Sequence, residues 1–426
     1  MVKKIILLFI LSLSIKGVSF IKELIIAREF GISADLDIVF LALSLFGTVT
    51  TVLSSAIQSA VIPKYCNNAD RASLFDSGYV LNSVIIIGLI TCFFYSIGID
   101  FVVSFFSNQY EVELQEDLKY YLNILVLYTL FQLIASYFFA LLRAKELYYT
   151  NSFFNLVSPL ILIVYILFFD GDVEVIIYSY LISSIVTLLL LLLLFFKPKN
   201  KILSLVGRFR IDKSIFREIQ PLFYSGMVIS GIGLVDQYFL AKYPGFVSVY
   251  NYALKVPTLV EGLLISTIIT IAFTTVSKNN STGKHNNNFK LLLSCVFFSV
   301  FILCPVSIFH SVYSEDIVKL LYLRGEFNAE NVSLVASFQS ILAFKVVFSF
   351  LSIMAARYMN AYGLNREMLK INFFTFFING SLNFVLVGYF GPLGVVISTL
   401  VVFLLAAFLN FYVVVKRIKS EMGFVS

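Results

Sequence analysis

Charge is what this sequence has little of. Only 13% of its 426 residues are Asp, Glu, Lys or Arg, while 59% are hydrophobic and mean hydropathy is +0.93. Soluble domains carry about 25% charged and ~45–50% apolar residues. The composition therefore excludes a soluble protein, and no soluble domain of normal size fits between the apolar runs. Cysteine is scarce as well. Cys66, Cys92, Cys295 and Cys304 are scattered, three of them inside apolar stretches, which argues against a disulfide framework or a metal site. The two histidines, His285 and His310, stand far apart, and no metal-ligand or nucleophile–base spacing appears. The chain is not read as an enzyme, and nucleic acid is not an expected partner. A small-x-small cleavage site is also missing after the lysine-led opening MVKKIILLFILSLSI. This segment is therefore expected to stay as a first helix rather than leave as a signal peptide.

What is present is a series of apolar runs near the length of about 20 residues that crosses a bilayer. Twelve are read, at roughly 3–27, 36–63, 77–107, 118–142, 151–169, 175–196, 218–241, 247–276, 291–313, 332–356, 371–388 and 391–415. The fold class expected is an all-α integral membrane protein. Lysine and arginine concentrate in alternate loops, from Lys3 and Lys4 through Lys64, Arg71, Arg143 and Lys145 to Lys416, Arg417 and Lys419. The intervening loops are acidic, with Glu111, Glu113, Glu116, Asp117, Asp170, Asp172 and Glu174. By the positive-inside rule both termini are cytoplasmic. The longest inner loop, 197–217, is basic and separates an N-terminal lobe, 1–196, from a C-terminal lobe, 218–426. It reads as a solvated linker, with anionic-lipid binding the alternative.

A shift of 214 residues lays AREFG (27–31) on AKYPG (241–245), Lys22 on Asp236 and Lys64 on Lys278. Both halves start on the same side. The repeat is thus expected to be parallel: two six-helix lobes related by a pseudo-two-fold along the membrane normal.

A charge near the bilayer centre costs roughly 2.5–3.5 kcal/mol on insertion scales, so the few within the spans are functional candidates. The first helix carries Lys16, Lys22, Glu23 and Arg28; Asp37 opens the second, Asp236 lies on the seventh and Lys255 on the eighth. Lys16 and Glu23 are seven residues apart and share a face. Lys16, Lys22 and Lys255 are expected to converge on a central cavity suited to an anion. Glu261 and Lys345 are secondary candidates, Lys345 either lining the cavity or snorkelling. A purely structural reading pairs Lys22 with Asp236 and Lys16 with Glu23 instead.

The stretch KGVSFIKELIIAREFGISADLDIVF (16–40) resembles the first helix and turn of the MurJ (MviN) lipid II flippase family, within the multidrug/oligosaccharidyl-lipid/polysaccharide exporter superfamily. The likeness continues at SAIQSAVIPKY (55–65), VSVYNYALKVP (247–257) and LRGEF (323–327), so it covers most of the chain in order. It implies an alternating-access flippase in the bacterial inner membrane, acting as a monomer among membrane lipids. Its cargo would be an undecaprenyl-pyrophosphate-linked saccharide, either lipid II or an O-antigen or capsule unit. Lys16, Lys22 and Lys255 would stand where the family has cavity arginines, with Glu23, Arg28 and Asp37 matching its acidic, basic and acidic residues. No cofactor is expected, with coupling to membrane potential or a monovalent cation left open. The chain departs from the family in having lysines for arginines, Thr48, Val49, Thr50 and Thr51 where a basic pair is expected, and twelve spans rather than fourteen. Two alternatives remain. A cation-coupled drug or metabolite exporter would need an exchangeable carboxylate, yet Glu23 and Asp236 each have a lysine partner available. A membrane-embedded polymerase or glycosyltransferase would need a large catalytic loop.

Overall fold

In the computed structural model, residues 2–66, 74–169, 171–195, 211–262 and 266–422 are described. Most of the basic linker, together with Arg71 and Asp170, lies outside them. Helices α1 (Val2–Phe30), α2 (Ala34–Cys66), α3 (Leu74–Phe106), α4 (Val112–Ala144), α5 (Tyr148–Phe168) and α6 (Glu174–Phe195) precede the linker. After it come α7 (Lys213–Leu240), α8 (Phe246–Val260), α9 (Ser266–Ser281), α10 (His285–Phe298), α11 (Cys304–Val312), α12 (Ser314–Tyr322), α13 (Ala329–Leu342), α14 (Lys345–Ala361), α15 (Asn365–Phe390) and α16 (Leu393–Glu421). Among the described residues there is no strand.

Nine stretches among the described residues are long and apolar enough to cross a membrane. The three expected spans outside that set are α1, α7 and α8–α9, which hold Lys16, Lys22, Glu23, Asp236, Lys255 and Glu261. The same charges that mark these helices as candidates lower their apolarity. Outward faces of the others carry large apolar side chains, such as Phe93, Phe94, Ile97 and Phe101 on α3 and Phe377 and Phe384 on α15. Such a belt is stable against lipid and not against water.

Three expected spans depart from single regular helices. The eighth runs as α8, turns π-helical at Glu261 and Gly262 just after Pro257, and resumes as α9. The ninth is continuous but holds a π-turn at Ser299–Leu303, where the Cys304 amide reaches the Ser299 carbonyl. Pro305 follows at once and has no amide to donate, a common setting for local rearrangement. The tenth breaks at Ala343 and Phe344 into α13 and α14. Sequence hydropathy also passed over α12, a short helix that buries Ser314, Val318 and Tyr322 on one face.

The chain forms two compact units, residues 1–26 with 33–230 and residues 27–32 with 231–426. In the first, α2 and α3 pack on α4, and α4 and α5 pack on α6. Its core is aliphatic and aromatic, built from residues such as Ile57, Val61, Val84, Leu133 and Phe138. In the second, α8–α9 and α10–α11 pack on α13–α14, and α14 and α15 pack on α16. Its core includes Val276, Phe350, Met354 and Tyr358. Both units thus follow one packing order. Gly31 and Gly245, aligned by the 214-residue shift, both have left-handed backbone, with φ of 56° and 88°.

Candidate functional site

In the first unit, Lys22 and Glu23 are both 8% exposed. Lys22 Nζ lies 2.8 Å from Glu23 Oε1 and donates to the Tyr180 hydroxyl of α6 at 2.8 Å. Glu23 is thus held by Lys22, a pairing the sequence reading did not name. Lys22 bridges its own chain neighbour and a tyrosine of α6. Burying a cation needs such a partner and a further hydrogen bond. Lys16, further along α1, is half-buried.

Arg28 and Asp37 differ sharply. The Arg28 side chain is 59% exposed, with Nε 3.5 Å from Glu29. Asp37 is fully buried in the first turn of α2, where it accepts from the Tyr110 hydroxyl at 3.1 Å. Ser33 caps this helix by accepting from the Leu36 amide at 3.1 Å, and a carboxylate in the first turn suits the helix dipole. Burial pushes the Tyr110 phenol well above its ordinary range, and the Asp37 charge adds to that.

A groove of about 390 Å³ runs between α2 and α4 in this unit. From α2 it is lined by Thr50, Thr51, Ser54, Ser55, Gln58, Ser59 and Ile62, and from α4 by Tyr128, Gln132 and Arg143. Thr50 joins the two helices through a 3.0 Å contact with Thr129. Sequence reasoning missed this groove, although the run TVTTVLSSAIQS places hydroxyls and an amide on one helical stripe.

In the second unit, Asp236 is 1% exposed and has four neutral donors. Oδ1 accepts from Asn379 at 3.0 Å and Asn383 at 2.8 Å; Oδ2 accepts from Thr399 at 2.8 Å and Tyr250 at 3.0 Å. The expected lysine partner is absent from this set. Hydroxyls and amides from α8, α15 and α16 take its place. Asn383 Oδ1 is itself buried with no hydrogen-bond partner. A carboxylate, two amides and two hydroxyls are the oxygen-rich ligand types that suit a hard cation. The amides can supply carbonyl oxygens when turned. Asn379 and Asn383 share a helical face at i, i+4, a signal the sequence did carry.

Glu261 and Lys345, the secondary candidates, come together: Lys345 Nζ is 3.2 Å from Glu261 Oε1, which also accepts from Ser349 at 2.7 Å. Lys345 is thus paired rather than isolated, and its ammonium sits 4.9 Å from the Phe403 ring centre. Lys255 lies half-buried on α8.

With this geometry in hand, the family model described as "Lipid II flippase MurJ" matches residues 26–424. The chain belongs to the MurJ family. Among curated MurJ proteins, the probable lipid II flippase MurJ of Thermotoga maritima is 24% identical over 392 residues, covering 89% of this chain and 78% of that protein. The probable lipid II flippase MurJ of Buchnera aphidicola subsp. Schizaphis graminum is 22% identical over 445 residues, covering 98% and 83%. Among solved structures, a lipid II flippase MurJ in an inward closed conformation superposes with a TM-score of 0.81 at 17% identity, covering 98% of this chain and 90% of that one. An inward-facing multidrug resistance MATE family transporter of the MOP superfamily gives 0.80 at 16% identity, covering 98% and 100%. This MurJ-family chain is a multi-pass membrane protein with the fold shared by those transporters.

Proposed function

We propose that this protein flips an undecaprenyl-pyrophosphate-linked saccharide from the cytoplasmic to the outer leaflet of a bacterial inner membrane by alternating access. Both termini lie in the cytoplasm and the working unit is a monomer. The observation that carries the reading is Lys22, a buried ammonium on α1 held ready by Glu23 and Tyr180. A pyrophosphate entering a low-dielectric site needs fixed cationic donors, and charge-assisted hydrogen bonds are the strong ones. Lys16, on the same helix, supplies further positive charge, while the lipid tail stays in the bilayer. The cargo is lipid II or a related envelope-polysaccharide unit.

Coupling to a monovalent cation belongs to the same proposal, and Asp236 is its seat. Among the described residues the carboxylate has only neutral ligands, so an entering cation meets a charge that they do not compensate. The same feature favours a second reading, a cation-coupled exporter in which Asp236 exchanges ion for drug. Deletion in the native host separates the two. A flippase leaves undecaprenyl-linked precursors stranded on the cytoplasmic face with dye sensitivity unchanged. Dye hypersensitivity with normal precursor levels would sink the flippase in favour of the exporter.

A further inference from the structure

The groove between α2 and α4 lies in a helix pair whose facing residues are largely neutral and polar. Hydroxyls and amides dominate its lining residues, with Ile62 beside them; its single charge is Arg143, and no carboxylate lines it among the described residues. Ser54 Oγ is buried there without a hydrogen-bond partner. Gln132 and Arg143 lie three helical turns apart, roughly 16 Å along α4, so the groove is elongated. Tyr128 lines it and sets its ring edge-on to Tyr180 at 5.9 Å, and Tyr180 in turn holds Lys22. The groove is thus joined through two tyrosines to the buried ammonium of the same unit.

We infer that this groove is a saccharide subsite, receiving the sugars of the headgroup whose pyrophosphate Lys22 attracts; the inference rests on the flippase reading. Sugar hydroxyls each donate and accept, and the side chains that answer both roles are hydroxyls and primary amides, not ammoniums or carboxylates. Gln58 and Gln132 supply donors and acceptors, Ser54 supplies an unsatisfied oxygen, and Tyr128 lines the groove beside them. A volume near 390 Å³ sits at the lower end of the range for small-ligand pockets, about 300–1,000 Å³. That suits a sugar or two and not a whole lipid-linked oligosaccharide.

The test uses the full-length protein in nanodiscs and two probes, a short-chain polyprenyl pyrophosphate and the same lipid bearing an N-acetylhexosamine disaccharide. The wild type should bind the sugared probe at least tenfold more tightly than the bare one. The Gln58→Leu/Gln132→Leu variant should lose that preference and keep its affinity for the bare probe. Equal wild-type affinity for both probes overturns the saccharide subsite while leaving the flippase reading intact; binding of neither probe overturns both. A second measurement avoids reliance on the double variant's folding. In a background with the native cysteines replaced by alanine, Thr51→Cys should be shielded from a maleimide by the sugared probe and not by the bare one. Equal labelling with both probes likewise overturns the subsite.

Discussion

The backbone amide of Glu326 donates to the carbonyl of Arg28 at 2.9 Å, tying the turn after α12 to the end of α1. Arg28 is in the last turn of its helix, where carbonyls have no partner further along. Gly31 and Gly325 flank this bond with φ of 56° and 60°. A Cβ at Gly31 would come within 2.7 Å of the Glu326 carbonyl oxygen, and one at Gly325 would meet the Arg28 carbonyl. Phe327 completes the anchor by packing its ring against Tyr252 and Tyr322, at 5.6 and 5.4 Å. Two segments that the sequence marked separately, AREFG and LRGEF, are one structural joint.

Alanine at Gly31 or Gly325 should therefore destabilise by about 1–3 kcal/mol, the usual scale for an ordinary residue forced into a strained backbone region. Gly363 has φ of 71° and open space around it, so Gly363→Ala carries the backbone strain without the clash. Melting of the detergent-solubilised variants should rank Gly363→Ala above the other two. A Gly325→Ala protein that melts with the wild type would contradict the crowding at Arg28.

Lys22 and Glu23 should behave as a unit. Removing one partner of a buried pair costs about 3–5 kcal/mol because it strands the other charge. Lys22→Gln should lower both transport and the amount of folded protein in the membrane. Adding Glu23→Gln should restore the amount and not the transport. Recovery of transport by the double variant would show that the ammonium only serves packing.

Asp236 gives the cation test. A ligand that binds the folded state raises its stability by RT ln(1 + [L]/Kd). Sodium or lithium chloride should raise the melting temperature above that in choline chloride at equal ionic strength. Asp236→Asn should abolish the difference while remaining folded, since the amide keeps the volume and much of the hydrogen bonding. Identical melting in sodium and choline for the wild type would remove Asp236 as a coupling site.

At the end of the linker, Asp212 accepts from Lys64 Nζ at 2.7 Å and from Ser214, and its amide donates to Ser83 Oγ at 2.8 Å. Burial pushes the Asp212 carboxyl upward, yet the hydrogen bonds from Lys64 and Ser214 outweigh it and leave it below the ordinary range. A folded pKa below the unfolded one means stability that is present above the unfolded value, about 3.9. That stability is lost as pH falls through the folded value. The wild type should melt above Asp212→Asn at pH 7, and the gap should close as the medium is taken below pH ~4. A gap that widens in acid would reverse the assigned direction.

The membrane class and nine of the expected spans were legible in the sequence, because hydropathy is a sum over adjacent residues and the cost of charge in lipid applies wherever the chain folds. The candidate charges were legible for the same reason: Lys22, Glu23, Asp236, Lys255 and Glu261 interrupt otherwise apolar runs. Their partners were not. Asp236 finds Asn379, Asn383 and Thr399, 143 to 163 residues away, and Lys345 finds Glu261, 84 residues away. Neutral amides and hydroxyls carry no hydropathy penalty large enough to stand out, so neither this cage nor the α2–α4 groove shows in a one-dimensional scan. The interruptions at Glu261, at Ser299–Leu303 and at Ala343 were equally silent. Local composition decided which helices enter the membrane; which buried charge is neutralised, and which is left among neutral ligands, was decided only when distant helices packed and brought their polar atoms within 3 Å or so of one another.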